Sequence, residues 1–250
     1  MSKFPKVSVI IPAYNEEKCI GRALDAALAQ NHPDFEVIVV DNNSTDRTRR
    51  IVEDYLADPR VRLVSESRQG LIFARQRGFE NAKGEIIVQM DADCIPDPDW
   101  IKRKMKYFDD TKVAGVTGPY DYFDAPWHMR ALFYLSQATI FNFMSWYLQK
   151  RRKGAILIGG NAFFRRQALE SAGGYNLNLN FYAEDTDTAM RVSRSGRIVF
   201  KPGLSVKSSA RRFREHGLKK TWGKYRKAFF STIRGKQLDA EDTIELENPR

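Results

Sequence analysis

The sequence predicts an α/β protein in which a mostly parallel sheet is flanked by helices. Runs of β-branched residues, such as 7–12 and 35–40, alternate with segments whose apolar residues repeat at helical spacing. Such continuous apolar runs are typical of strands buried on both faces, and their alternation with helices favours βαβ units. A further run ends at Asp91 and Asp93, at the kind of sheet edge where these folds place their ligands.

The elements follow in a regular order through the first half of the chain. Asn15 is expected to cap the first helix, because Glu16 and Glu17 would occupy its first turn. The predicted helices lie at 16–31, around 51–56, at 70–82 and at 183–196. The predicted strands lie at 7–12, 35–40, 61–64, 85–88, 113–118, 155–158, 162–164 and 198–200.

Asp91 and Asp93 form the most informative pair of side chains. Alternate residues of a strand share a face, so both carboxylates point the same way, and Pro96 and Pro98 end the strand just beyond them. Two close carboxylates repel each other, and a divalent cation with oxygen ligands would relieve that repulsion. A solvated, aspartate-rich turn is the alternative for an isolated pair of this kind.

The amino-acid composition limits the classes of protein to which this chain can belong. The chain has 250 residues, 42% of them hydrophobic, which is enough for one large domain or a domain with an appendage. Its two cysteines make neither a disulfide scaffold nor a zinc site, so a reducing compartment is expected, and we expect no signal peptide before the first strand. The net charge of +10 indicates an anionic partner: a nucleotide, a nucleic acid or a membrane surface.

Three polar loops are expected at one edge of the sheet, at 12–17, 41–46 and 91–93. They make a nucleotide pocket plausible, since a carboxylate such as Asp41 can accept hydrogen bonds from a base or a ribose hydroxyl. The glycine-rich phosphate cradles of dinucleotide-binding and P-loop proteins are absent from the sequence.

Taken together and in this order, these segments resemble family 2 glycosyltransferases of the GT-A fold. The resemblance covers roughly residues 5–217. The matching segments are 7–17, 39–46, Ala74-Arg75, Asp91-Ala92-Asp93, 159–166 and Glu184-Asp185. It implies a nucleotide-sugar donor carrying UDP or GDP, a divalent metal (Mn²⁺ or Mg²⁺), and transfer with inversion at the anomeric carbon.

The resemblance also implies a role for each matching residue. Asp185 would be the general base, with Glu184 its rival, and Asp93 would bind the metal. Residues implied to contact the nucleotide are Pro12, Tyr14, Glu16, Asp41, Arg75 and Asp91, the last of which would also face the metal. Gly160, Asn161 and Glu184 would line the donor sugar or the acceptor, and His216 would be a third metal ligand.

The sequence leaves several alternatives open for single residues and for the function. Tyr14 could simply pack, Asp41 could cap a turn, Arg75 could be a surface residue of a helix, and His216 could be an ordinary surface histidine. A catalytically silent nucleotide-sugar-binding or RNA-binding protein and a nucleotidyltransferase are the rival functions. The Q-x-x-R-W motif of processive synthases is absent from the sequence, which favours transfer of a single sugar.

The remaining features concern the acceptor. Residues 131–149 carry no charge, and Lys150–Lys153 follow them directly. Residues 201–236 hold twelve Lys or Arg against one acid, interleaved with aromatic residues. We expect a lipid-linked or glycan acceptor, peripheral binding to an anionic membrane at its cytoplasmic face, and no nucleic acid, since no RNA-binding motif is present. A buried helix contact or a homodimer interface is the alternative for 131–149.

We therefore divide the chain into a GT-A catalytic domain at 1–210, a basic aromatic helical segment at 211–237 and an acidic tail at 238–250. Within the catalytic domain the nucleotide-binding half is expected at about 1–118 and the acceptor half at about 119–210.

Overall fold

The computed structural model describes residues 5–151, 153–179 and 184–233. The strands are β1 Val7–Ala13, β2 Phe35–Asp41, β3 Val61–Ser65, β4 Ile86–Gln89, β5 Val113–Thr117, β6 Tyr120–Tyr122, β7 Ala162–Arg165, β8 Arg197–Phe200 and β9 Val206–Ser208. The α-helices are α1 Ile20–Leu28, α2 Thr48–Glu53, α3 Leu71–Asn81, α4 Trp100–Met105, α5 Trp127–Ser136, α6 Asn142–Lys150, α7 Arg166–Ser171, α8 Glu184–Val192, α9 Arg211–His216 and α10 Leu218–Ile233.

A seven-stranded sheet in the order β3-β2-β1-β4-β7-β5-β8 forms the centre of the fold. Strands β1 to β4 pair in parallel, and β7 runs antiparallel between β4 and β5. A separate two-stranded sheet joins β6 and β9. Every residue of β1 and β2 is buried, which explains why these runs are apolar without alternation. The predicted class, a mostly parallel sheet flanked by helices, is confirmed.

Each face of the sheet carries its own apolar core. On one face the side chains of Val9 and Ile11 pack with those of α1 and α4, including the fully buried Trp100. On the other face Ile10 and Ile38 pack with α3, α7 and α8. The two faces use alternate residues of the same strands, as the pleat requires.

A helical layer lies beyond the sheet. A π-helical turn at Gln137–Phe141 joins α5 to α6. The inner face of α6 packs through Leu148 on Phe200, and Phe229 of α10 joins the same cluster. Phe213 of α9 stacks on Phe133 of α5 with a centroid separation of 4.9 Å. The helices at the end of the described chain therefore lie against the uncharged stretch.

Two local expectations are wrong. Asn15 does not cap a helix: α1 begins at Ile20, and Asn15 has φ of 53°, with its side-chain oxygen accepting from the Thr45 N–H of the neighbouring loop. Residues 155–158 are not a strand, since the N–H groups of Ile156 and Ile158 donate to the hydroxyls of Ser145 and Thr117 rather than to a neighbouring strand.

The basic aromatic segment is helical as far as the structure describes it. It forms α9 and α10, separated at Gly217, which has φ of 77°. The predicted acidic tail at 238–250 lies outside the described residues. Among the helices that are described, none combines the length and apolar character needed to cross a bilayer.

Gly78 provides a test of how α3 packs on the sheet. A Cβ at this position would lie 2.3 Å from Cγ2 of Ile10, so Gly78→Ala forces the helix away from β1. Overpacking of this kind costs about 1–3 kcal/mol, which exceeds the gain in helix propensity. We expect the urea midpoint to fall.

Gly223 of α10 is the matched control for that substitution. A Cβ there meets nothing within 4 Å, so Gly223→Ala should raise stability by roughly 0.5–1 kcal/mol. An equal rise in the urea midpoint for both variants would contradict the close packing described for α3.

Candidate active site

The loops after β1, β2 and β4 meet at one edge of the sheet. The side-chain oxygen of Asn15 accepts a hydrogen bond from the Thr45 N–H at 2.8 Å, and the Glu16 N–H donates to Oγ1 of Thr48 at 2.7 Å. These bonds hold the first loop against the second. The third loop, which contains Asp91 and Asp93, follows β4, the neighbour of β1 in the sheet.

Arg75 is the central charged residue of this edge. It lies on α3 with 2% of its side chain exposed, and its guanidinium faces three carboxylates. Nη2 donates to Oδ1 of Asp91 at 3.1 Å, and Nη1 contacts both Glu184 and Oδ1 of Asp185, the latter at 3.0 Å. Burial alone would lower the pKa of Arg75, but the three carboxylates raise it well above its usual value. The guanidinium therefore remains charged.

The two acids at the start of α8 differ in their surroundings. Glu184 has 3% of its side chain exposed, and burial together with the adjacent Asp185 raises its pKa well above the usual range, although Arg75 lowers it. Asp185 has 35% of its side chain exposed and also accepts a hydrogen bond from the Gly159 N–H at 3.0 Å. Of these two acids, only Asp185 is exposed enough to contact a bound substrate.

Tyr120 connects two of these segments. Its hydroxyl donates to Oδ2 of Asp91 at 2.8 Å and accepts from the Gly160 N–H at 2.7 Å. Burial raises the pKa of Tyr120 well above its usual value, and Asp91 adds to the effect, so the hydroxyl keeps its proton. A Cβ on Gly160 would lie 2.4 Å from that hydroxyl oxygen, so the close approach requires glycine.

A group of possible metal ligands lies at the end of β4. Asp91, Asp93 and Cys94 each place a ligand atom within 4.8 Å of the others. Burial and the two aspartates raise the pKa of Cys94 well above its usual value, so its thiol is neutral and a poor ligand for a hard cation. The two carboxylates supply the oxygen ligands that Mn²⁺ or Mg²⁺ takes in proteins, so this donor set fits such an ion.

Glu16 is occupied by an arginine from the far end of the chain. Both carboxylate oxygens of Glu16 accept from the guanidinium of Arg211, each at 2.6 Å. Nη2 of Arg211 also lies 3.3 Å from Oδ2 of Asp93. The Glu16 side chain is fully buried, so it does not present a carboxylate to a nucleotide as expected.

The other predicted residues fall into two groups. Pro12, Tyr14 and Asp41 lie on the first two loops or the strand ends that precede them, and Asp41 is buried, pairing with Arg49 at 3.6 Å. Gly159 and Gly160 lie beside Asp185 and Asp91. Arg75 is not a surface residue, so that alternative is excluded.

Asn161 and His216 are not brought into the site. Asn161 is fully buried, where its side-chain oxygen accepts from Trp100 and Lys104 and its amide donates to Leu204, so it cannot line a sugar. His216 is exposed at the end of α9 and is not a member of the ligand group around Asp93.

Two residues of the site, Tyr120 and Arg211, are not predicted by the sequence pattern. Tyr120 precedes a loop rich in aspartate and aromatic residues, and Arg211 is one of twelve basic residues in the segment 201–236. Nothing in the pattern distinguishes either from its neighbours, because the contacts that matter are with residues far away in the chain.

The architecture and the acidic strand ends define a GT-A fold. The chain belongs to glycosyl transferase family 2, whose sequence profile matches residues 8–173.

Similar proteins include curated and solved glycosyltransferases. Glycosyltransferase AglE of Haloferax volcanii is 38% identical over 121 residues, which cover 47% of this chain and 40% of AglE. The probable glycosyltransferase YdaM of Bacillus subtilis is 31% identical over 212 residues, covering 78% of this chain and 48% of YdaM. The chain thus spans less than half the length of either relative.

A solved structure covers nearly the whole chain. The mannosyltransferase PcManGT of Pyrobaculum calidifontis, in complex with GDP-Man and Mn²⁺, superposes with a TM-score of 0.72 at 26% identity. The match covers 96% of this chain and 67% of PcManGT.

Tyr120→Phe tests the bridge between Asp91 and Gly160. Removing the hydroxyl leaves both groups without this partner, which should cost about 1–3 kcal/mol of stability. Because Asp91 then keeps Arg75 but loses the hydroxyl on its other oxygen, nucleotide binding in the presence of Mn²⁺ should weaken, as measured by calorimetry.

Tyr55→Phe is the matched control for this effect. It removes a hydroxyl that also bonds a carboxylate, Asp25, at 2.8 Å, but between α1 and the turn after α2. It should lower stability and leave nucleotide binding unchanged. Equal effects of the two variants on nucleotide binding would show that Tyr120 has no specific role in the site.

Proposed function

We propose that the protein transfers one sugar from a nucleotide-diphosphate sugar to an acceptor hydroxyl or phosphate, with inversion and with dependence on a divalent metal. The observation that carries the proposal is that Asp91 and Asp93, on the loop after β4, converge with Asp185 at the start of α8 in a family 2 chain. The GDP-Man and Mn²⁺ held by PcManGT support this class of donor and metal.

In this proposal the acidic residues have separate tasks. Asp93 and Asp91 would hold Mn²⁺ or Mg²⁺, which supplies positive charge to offset the charge developing on the leaving diphosphate. Arg75 and Tyr120 fix the orientation of Asp91 through its two oxygens. Pro12, Tyr14 and Asp41 would contact the nucleotide from the neighbouring loops.

Asp185 would accept the proton of the acceptor hydroxyl. Its carboxylate is partly exposed and is held by Arg75 and the Gly159 N–H, so its position is fixed while it remains accessible. A general base must lie within hydrogen-bond reach of the proton that it takes, so its accessibility matters as much as its position. Glu184 is less suited, because burial raises its pKa and its side chain is almost entirely enclosed.

We further propose a lipid-linked acceptor at the cytoplasmic face of the membrane. The outer face of α5 and α6 exposes large apolar side chains, among them Leu132 at 62%, Phe143 at 63% and Trp146 at 55%. Two polar residues of the same stretch point inward: Gln137 bonds to the backbone of Tyr120, and Ser145 accepts from the Ile156 N–H. A helix that is apolar on its exposed side indicates a surface with a partner.

Two substitutions separate metal binding from proton transfer. Asp93→Ala should abolish the Mn²⁺-dependent part of nucleotide binding, because it removes a ligand oxygen. Asp185→Asn keeps the shape of the side chain but removes the carboxylate that would accept the proton. It should preserve nucleotide binding and lower turnover on the order of 10²–10⁴-fold. Calorimetry with Mn²⁺ and GDP or UDP, together with a turnover assay, measures both. Near-normal turnover by Asp185→Asn would assign the base to another group.

A screen of GDP- and UDP-sugars by thermal shift, with and without Mn²⁺, identifies the donor. Turnover should then release a nucleoside diphosphate, and the anomeric configuration of the product, read by NMR, should be inverted. Pyrophosphate released from a nucleoside triphosphate would indicate a nucleotidyltransferase instead. Failure to turn over any sugar nucleotide with any metal would favour a silent binding protein.

Sedimentation with liposomes tests the membrane proposal. Vesicles containing anionic lipid should pellet the protein at low salt, since each nearby cation, such as Lys150 and Arg151, contributes roughly 1 kcal/mol. Binding should weaken at high salt if charge dominates and persist if the apolar face inserts. A protein that stays in the supernatant with anionic vesicles at low salt would contradict the proposal.

Matched substitutions locate the surface involved. Phe143→Ser with Trp146→Ser should release the protein from the vesicles, because both side chains lie on the outer face of α6. Leu56→Ser removes an apolar side chain of similar exposure, 43%, after α2 and should leave sedimentation unchanged.

A further inference from the structure

Arg211 connects a buried carboxylate to the proposed metal-binding carboxylate. Its two terminal nitrogens form a fork on Glu16, and Nη2 has a second hydrogen available for Asp93, whose Oδ2 lies 3.3 Å away. The helix that carries Arg211 is also fixed in position, because Phe213 of α9 packs on Phe133 and Tyr122. The chain thus carries its own cation at the end of β4.

The pairing with Glu16 and the pairing with Asp93 differ in strength. Glu16 has no exposed side-chain area and makes two bonds of 2.6 Å with Arg211. Asp93 is 13% exposed, and its contact with Arg211 is longer, at 3.3 Å. Burial would lower the pKa of Arg211, but Glu16 and Asp93 raise it above its usual value, so the charge is permanent. Glu16 is therefore the anchor, and Asp93 is the partner that can be exchanged.

A divalent cation on Asp93 would compete with Arg211 for the same carboxylate. Two positive charges this close repel each other unless an anion lies between them. A nucleoside diphosphate provides that anion, since its oxygens can bind a cation and accept hydrogen bonds from a guanidinium at the same time. The fork on Glu16 leaves Nη2 directed toward the side of the site where Asp93 lies.

We propose that Arg211 acts as an internal counter-ion that makes metal binding depend on the nucleotide. Without nucleotide it neutralises Asp93 and opposes Mn²⁺. With nucleotide it remains anchored on Glu16 and donates to the diphosphate, which lies between the two cations. Glu16 is then the positioning residue for Arg211 rather than a nucleotide contact. This inference rests on the proposed metal-dependent function.

The test uses Arg211→Ala and two binding measurements that should change in opposite directions. Mn²⁺ alone, followed by the loss of its free-ion EPR signal, should bind the variant more tightly than the wild type, by roughly fivefold, the scale of one partly exposed ion pair. GDP and UDP, titrated separately by calorimetry at saturating Mn²⁺, should bind less tightly by at least a similar factor. A purely structural role would weaken both.

Further variants control for a folding defect caused by the unpaired Glu16 and for the loss of a positive charge as such. Glu16→Gln combined with Arg211→Gln leaves no unpaired buried carboxylate and should reproduce both changes. Arg214→Ala removes a positive charge from the same helix, where it pairs with Asp124 at 2.8 Å, and should change neither affinity. Glu16→Gln alone frees Arg211 to pair with Asp93, so the affinity for Mn²⁺ alone should fall.

The outcomes distinguish this inference from the function on which it rests. Mn²⁺ binding that is equal in the wild type and in both Arg211 variants would overturn the counter-ion role while leaving the metal-dependent function intact. Tighter Mn²⁺ binding without any loss of GDP or UDP affinity would overturn the diphosphate contact. Absence of Mn²⁺ binding in every variant, with or without nucleotide, would overturn the metal-dependent function and this inference together.

Discussion

The guanidinium of Arg75, buried among three carboxylates, is the interaction on which the rest of the site depends. Asp91 follows β4, whereas Glu184 and Asp185 begin α8, so one side chain of α3 joins segments separated by more than ninety positions in the sequence. Removing one partner of a buried ion pair commonly costs 3–5 kcal/mol, because the remaining charge is left uncompensated. Without Arg75 the acids could not remain this close, and neither a metal-binding nor a base function would have a fixed geometry.

Arginine suits this position for reasons of shape as well as charge. Its planar fork donates from two nitrogens in fixed directions, so Asp91 and the α8 acids are held at defined positions, which a flexible ammonium group could not do. Three carboxylates exceed the charge of one guanidinium, and the excess is distributed unequally. Burial raises the pKa of Glu184, whereas the more exposed Asp185 accepts hydrogen bonds from Arg75 and from the Gly159 N–H. The difference between these neighbouring acids arises from their surroundings.

The sequence predicted those parts of the fold that depend on local pattern. The continuous apolar runs of β1 and β2, the helix α3 and the strand that leads to Asp91 are all confirmed, because each is encoded by consecutive residues. The resemblance predicts that Asn161 lines the substrate, but Asn161 is buried against Trp100 and Lys104, which lie about sixty residues earlier. For the same reason the local pattern does not separate Arg211 from the other cations of the segment 201–236. Contacts between distant segments are set by the folded chain and leave no local signal.

Tyr120 connects the helical layer to the site through hydrogen bonds. The π-helical turn between α5 and α6 directs Gln137 inward, where its amide bonds to both the N–H and the carbonyl of Tyr120. The hydroxyl of Tyr120 then holds Asp91. Gln137, a polar residue of an otherwise apolar stretch, thus helps to position a carboxylate of the site, which explains why it interrupts that stretch. The large apolar side chains exposed on the outer face, such as Phe143 and Trp146, therefore belong to the same helical layer that supports the proposed chemistry.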